Sequence, residues 1–125
     1  KGPFMRRVSV FTATAALFML AGAANAHPKL VSASPAANAT VAKPARVQLR
    51  FSEKLMPAFS KADLMMEAKG MAAMKHPSTS ALAADGHTLV ITPQGQLHPG
   101  RYTVNWHVVS TDTHKVAGSY AFGVK

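Results

Sequence analysis

His27, Asp112 and His114 are the residues whose types and setting best suit chemistry, and the chemistry they suit is metal binding. Ala24-Asn25-Ala26 has the small-x-small form at which signal peptidases cut, so cleavage after Ala26 would make His27 the first residue. A terminal histidine offers its α-amine and its imidazole Nδ1 to one ion, closing a six-membered chelate without help from the fold. Such donors suit Cu(II), which heads the divalent affinity series and takes tetragonal nitrogen and oxygen ligands. Ser110-Thr111-Asp112-Thr113-His114 adds a carboxylate and a second imidazole two residues apart. In an extended segment those positions project to the same side, so Asp112 and His114 are expected to converge. Each feature alone has a plainer reading: some residue must come first, and Asp-x-His also fits an Asx turn carrying an exposed imidazole. Their combination carries the metal assignment.

A second cluster is Met65-Met66, Met71, Met74 and His76, interrupted by Gly70 and followed by Pro77. Thioether sulfur is soft and binds Cu(I), and it is the available soft donor in a chain with no cysteine. Lys69, Gly70 and Lys75 predict an exposed, mobile loop around Met71 and Met74, where apolar side chains have little to pack against. The alternative is gap-filling in the core, which suits one of Met65 and Met66 within the extended stretch Ala62 to Ala68. The remaining histidines read as surface groups: His87 and His98 fall in turns, and His107 lies on the strand face opposite Trp106. No nucleophile elbow, phosphate-binding glycine loop or supported carboxylate pair is present, and Asp112-Thr113-His114 lacks an activated nucleophile, so no enzyme activity is expected.

These residues need a scaffold of short strands. Val47, Leu49 and Phe51 alternate with polar neighbours, as do Tyr102, Val104, Trp106 and Val108, and then Tyr120, Phe122 and Val124. Leu89-Val90-Ile91 reads as a short buried strand. Turn signals separate them at Ser34-Pro35, Lys43-Pro44, Asp85-Gly86, Pro93 to Gly95 and His98-Pro99-Gly100. The expected fold is all-β, a Greek-key barrel or sandwich of Ig-like or cupredoxin-like form. At 125 residues and 48% hydrophobic, the chain holds one small domain, and the absence of cysteine excludes a disulfide scaffold and thiolate metal sites.

Residues 1–4 precede Met5 and read as an expression remnant, while 5–26 have the basic start, apolar middle and Ala-x-Ala end of a secretory signal peptide. A retained membrane anchor over Val8 to Ala26 is the alternative. Residues 27–125 form the mature domain. The formal charge of +9 would suit nucleic acid or an anionic membrane. Beyond position 26, however, the basic residues are scattered singly from Lys29 to Lys125, with no aromatic-interleaved basic run, so a solvated basic surface is expected and no nucleic-acid partner.

The chain resembles the CopC/PcoC family of periplasmic copper-resistance proteins. The resemblance rests on His27-Pro28-Lys29-Leu30-Val31, Phe51-Ser52-Glu53, the Met-rich segment, Pro99-Gly100-Arg101-Tyr102-Thr103-Val104, and Trp106 through Val108-Val109-Ser110 to Asp112-Thr113-His114. It implies a cupredoxin-like barrel with Cu(II) at one end and, in some members, Cu(I) at a Met-rich loop at the other. Carried over residue by residue, it implies His27, Asp112 and His114 as Cu(II) ligands, with Glu53 as a weak ligand or a support for them. For Cu(I) it implies Met66, Met71, Met74 and His76. Pro77-Ser78-Thr79-Ser80 follows His76 where two-site members tend to carry another Met. The family further implies a monomeric periplasmic carrier that passes copper to a membrane transporter of the CopD type or to other periplasmic copper proteins. Two other functional classes compete: a histidine-brace copper oxidase or monooxygenase, and an Ig-like adhesion module, which would leave the His27, Asp112 and His114 coincidence unexplained.

Overall fold

Alternation of apolar and polar residues makes one face of each long strand a core face. The computed structural model describes residues 27–125, and no α-helix occurs among them. The strands are β1 (Leu30–Ser34), β2 (Thr40–Val41), β3 (Val47–Phe51), β4 (Lys61–Ala68), β5 (Met71–His76), β6 (Ser78–Leu82), β7 (Thr88–Pro93), β8 (Gly100–Val109) and β9 (Lys115–Val124), with a 3-10 turn at Pro57–Phe59. The signal-peptide and remnant assignments for 1–26 lie outside the described residues.

Two sheets form, one in the order β1-β3-β7-β6 and the other β2-β9-β8-β4-β5. Every pairing is antiparallel except the short parallel contact of β2 with β9. The two sheets make a sandwich and do not close into a barrel, which settles the expected alternatives. Val47, Leu49 and Phe51 from β3 and Leu89 and Ile91 from β7 meet Leu64, Tyr102, Val104, Val108 and Phe122 from the other sheet, all nearly excluded from water. Each such side chain contributes about 1.5–3 kcal/mol by burial.

The alternation in the sequence therefore places the core strands, with Trp106 half-buried on the core face as expected. Strands β1, β5 and β6 escaped it because each lies at a sheet edge, where fewer side chains are buried and the pattern weakens. The Met-rich segment is accordingly a strand. Met71 and Met74 belong to the β4–β5 hairpin, which turns at Lys69-Gly70 with Gly70 at φ 73°, and they lie on a paired strand where a loop was expected.

Trp106 lies flat over Gly118 of β9: a Cβ at 118 would stand 2.5 Å from the indole. Gly118→Ala is expected to displace the ring and destabilise the domain by about 1–3 kcal/mol. Denaturant unfolding checks the loss, and emission from Trp106, the single tryptophan, checks the displacement.

Candidate metal centre

At one end of the sandwich the β8–β9 hairpin closes with Ser110 to His114. Thr113 N donates to Ser110 O (2.8 Å) and Ser110 N to His114 O (3.0 Å), a three-residue hairpin loop whose last member, Thr113, takes φ 74°. A β-branched residue in this left-handed region is uncommon and strained. Asp112 and His114 thus come together through a tight, left-handed turn, and not through the extended alternation expected from their spacing.

The turn brings Asp112 Oδ1 to 3.1 Å from His114 Nδ1. Apart from this ion-pair contact, Nδ1 is buried without a hydrogen-bond partner. A buried, unpartnered imidazole nitrogen beside a carboxylate oxygen is what a metal ion would satisfy. The Ser110 hydroxyl donates to Asp112 Oδ1. That bond first, and then the His114 imidazole, hold the Asp112 carboxyl below the usual carboxylate range, keeping it an anionic donor.

His27 reaches the same point from β1. Pro28 is fully buried, and Lys29 exchanges hydrogen bonds with Ser52, Lys29 N to Ser52 Oγ at 2.9 Å and Ser52 N to Lys29 O at 2.8 Å. The chain is therefore pinned just after His27, whose exposed ring stands edge-on to that of His114 with centroids 4.7 Å apart. Half-buried Glu53 lies on this rim between Ser52 and Lys54, whose carbonyl accepts from Thr111 N (2.9 Å); it makes no ion pair among the described residues. Among the described residues, no group of three or more His, Asp or Glu side chains is placed to hold a metal ion. The His27 ring adjoins that of His114, and Asp112 adjoins His114 in turn, so two imidazoles and a carboxylate share this rim.

Ser110 is the residue of this candidate site that the sequence reading passed over. It is 2% exposed, and besides Asp112 its Oγ meets His114 N at 3.3 Å and His114 O at 3.5 Å, so one hydroxyl braces both donors. The signal available was a serine ending an apolar strand directly before an Asp-x-His turn. Ser110→Ala is expected to weaken Cu(II) binding by about 10–100-fold, the usual effect of losing a group that orients ligands. Competition with a chelator of known affinity measures it.

The methionines sit at the other end. Met66 is opposite Met74 and Ala68 opposite Met71, with a register shift between the two pairs: two steps along β4 span three along β5. The extra residue lies in Ala72-Ala73 and reverses the parity of β5. Directly opposed residues share a face, so Met66, Met71 and Met74 all lie on the inner face, and His76, opposite Leu64, joins them. Met66 packs against the core, while Met71 and Met74 are 67% and 59% exposed. The His76 ring meets Tyr102 edge-on at 6.3 Å; its Nε2 lies 3.2 Å from the Gln94 carbonyl, and donation there leaves Nδ1 with a free lone pair. Met65 pairs with Lys75 on the opposite face and is separated from the cluster. Met66 neighbours Tyr102 on β8, so the two ends lie about 27 Å apart along that strand to Ser110. His87, His98 and His107 stay outside both groups, as expected: His87 Nδ1 contacts Phe51 O at 3.2 Å, and His98 and His107 are exposed.

Comparison with known proteins gives these ends a context. A CopC domain matches residues 30–125. The copper resistance protein C of Xanthomonas campestris pv. juglandis is 43% identical over 123 residues, covering 96% of this chain and 97% of that protein. Its namesake from Pseudomonas syringae pv. tomato is 44% identical over 126 residues, covering 97% and 98%. The crystal structure of PcoC from Escherichia coli, described as a methionine-rich copper resistance protein, matches with a TM-score of 0.75 at 44% identity, covering 80% of this chain and 100% of that one. CopC from Methylosinus trichosporium OB3b matches with a TM-score of 0.69 at 32% identity, over 79% and 94%. With a shared sandwich and nearly full-length identity above two-fifths to two copper resistance proteins, the chain belongs to the CopC family.

Proposed function

We propose that this protein is a periplasmic copper carrier that holds Cu(II) through the α-amine and imidazole of His27, the Asp112 carboxylate and the His114 imidazole. The observation that carries the reading is the buried, unpartnered His114 Nδ1 beside Asp112 Oδ1 with the His27 ring against it. Glu53 stands on the same rim as an outer support. A second site for Cu(I) is formed by Met66, Met71, Met74 and His76; the shared inner face of β4 and β5 supports it.

The chemistry is capture and release, without turnover. An anionic carboxylate in the donor set favours retention of Cu(II) over the open coordination position that a histidine-brace oxidase needs for oxygen. A carrier also has to give its cargo up, and donors on a rim with Asp112 and His114 half-exposed are open to exchange with an incoming ligand. A membrane copper transporter of the CopD type, or another periplasmic copper protein, is the recipient that this reading requires.

Titration of protein beginning at His27 with Cu(II), followed by visible absorption and EPR, tests the proposal. One equivalent should bind with a nitrogen-rich tetragonal signature. Asp112→Ala should change the EPR parameters, and His114→Ala should weaken binding more, because imidazole is the stronger donor. Unchanged binding in folded His114→Ala protein, checked by circular dichroism, would refute this ligand set.

A further inference from the structure

Beside the Cu(II) end, the Pro57–Phe59 turn projects from the outer face of the five-stranded sheet with none of its residues buried, and Phe59 is 56% exposed. Burial in the core does not explain this phenylalanine. It walls a shallow groove whose floor is the β8–β9 outer face, with Val109 and Ala117 as apolar lining and Lys61, Lys115 and His107 at its margin. The groove continues past Met56 to Thr113, the residue between Asp112 and His114. No carboxylate lines it, and neither Lys61 nor Lys115 has an ion-pair partner among the described residues. Lysines that look scattered in the sequence are thus gathered by the fold, because Lys61 pairs in register with His107 of β8 and Lys115 with Val109.

From this juxtaposition we infer that the Phe59 turn and its lysine margin form a docking surface for an anionic phospholipid membrane. A projecting apolar tip flanked by unpaired cations, over a groove that no carboxylate lines, matches what an acidic lipid interface recognises. The aromatic ring enters the headgroup boundary, and the ammonium groups stay in the negative surface potential. Complementary shape is not needed, which suits a convex turn better than a moulded protein partner would. One apolar tip and two lysines give weak, reversible attachment. The orientation would turn the Thr113 rim toward the membrane; only that consequence rests on the copper-carrier reading, and the lipid contact does not.

The test uses metal-free protein comprising residues 27–125, which hold both sheets and the whole described core, so that neither the leader nor copper contributes. Co-sedimentation is measured with vesicles of phosphatidylglycerol and phosphatidylethanolamine and with vesicles of phosphatidylcholine alone. Binding is expected to the first and not the second, and to weaken as salt is raised. Phe59→Ala should lower the partition coefficient about tenfold. Lys61→Glu with Lys115→Glu should lower it by more than the roughly fivefold expected for each lysine lost, since the charge is reversed. Lys43→Glu with Lys125→Glu makes the same change in net charge away from the turn and should have a smaller effect. No binding to anionic vesicles, or equal losses in the two charge-reversed proteins, would overturn the proposal. A Phe59-dependent dimer in sedimentation of the protein alone would also overturn it, assigning the face to a second copy. Phe59→Ala lies on an exposed turn and should fold; Phe59→Leu, which keeps an apolar tip, should retain most of the binding.

Discussion

Protein that begins at His27 is expected to bind Cu(II) more tightly than the chain retaining residues 1–26 by several kcal/mol, on the order of a thousandfold. With Ala26 attached, the nitrogen of His27 is an amide. It has no basic lone pair to offer, and the six-membered chelate is lost with it. The structure makes this a clean comparison, because buried Pro28 and the Lys29–Ser52 hydrogen bonds hold the His27 ring against His114 while the preceding peptide is still joined. Both forms therefore present the imidazoles and the carboxylate, and the difference isolates the amine. The two forms should also differ in pH dependence. A free α-amine must lose its proton before it coordinates, so the affinity of the processed form should climb as pH rises through the ordinary amine range near 8. Asp112 adds no such slope near neutrality, because its carboxyl is held below the usual range and is already ionised there. Chelator competition on both forms across pH supplies the measurement. Equal affinities would remove the amine from the site.

Much of this was legible in the sequence, for reasons that differ from residue to residue. The strands of the core announced themselves because half-buried strands alternate, and Val47, Leu49 and Phe51 do so on β3 as Tyr102 and Val104 do on β8. Asp112 and His114 were identified correctly as neighbours, but by the wrong geometry. Their spacing suits an extended strand, and only the hairpin hydrogen bonds between Ser110, Thr113 and His114 show that a threonine has been forced to φ 74°. Side-chain spacing reports proximity over two residues in either geometry, so it could not separate them. Ser110 stayed hidden because a serine's role depends on what lies within 3 Å of its hydroxyl, which is tertiary information. The methionines show the converse case. Lys69 and Gly70 do form the hairpin turn, but the loop reading ran on through Lys75 because an exposed edge strand carries the polar, irregular composition of a loop. The single-residue bulge that puts Met71 and Met74 on one face is a property of strand register, and composition carries no trace of it.

That bulge leads to the second large effect. In a Met71→Leu, Met74→Leu double variant, Cu(I) affinity is expected to fall about tenfold for each thioether removed, or ~1.4 kcal/mol apiece, while Cu(II) affinity and thermal stability hold nearly steady. Leucine keeps the apolar volume and discards the sulfur, and at 67% and 59% exposure neither side chain contributes much packing, so the stability change should stay within about 0.5 kcal/mol. Cu(II) should be indifferent because its rim lies at the far end of β8. Met65→Leu is the internal control: it removes a thioether from the same strand as Met66, but from the face that pairs with Lys75, and Cu(I) binding should not respond. A loop whose methionines are interchangeable predicts partial loss from any of the three substitutions. A face set by register predicts loss from Met71 and Met74 and none from Met65. If Cu(I) binding survives the double variant intact, Cu(I) is held by donors other than Met71 and Met74, and the face they share with Met66 and His76 is an apolar sheet edge and not a site.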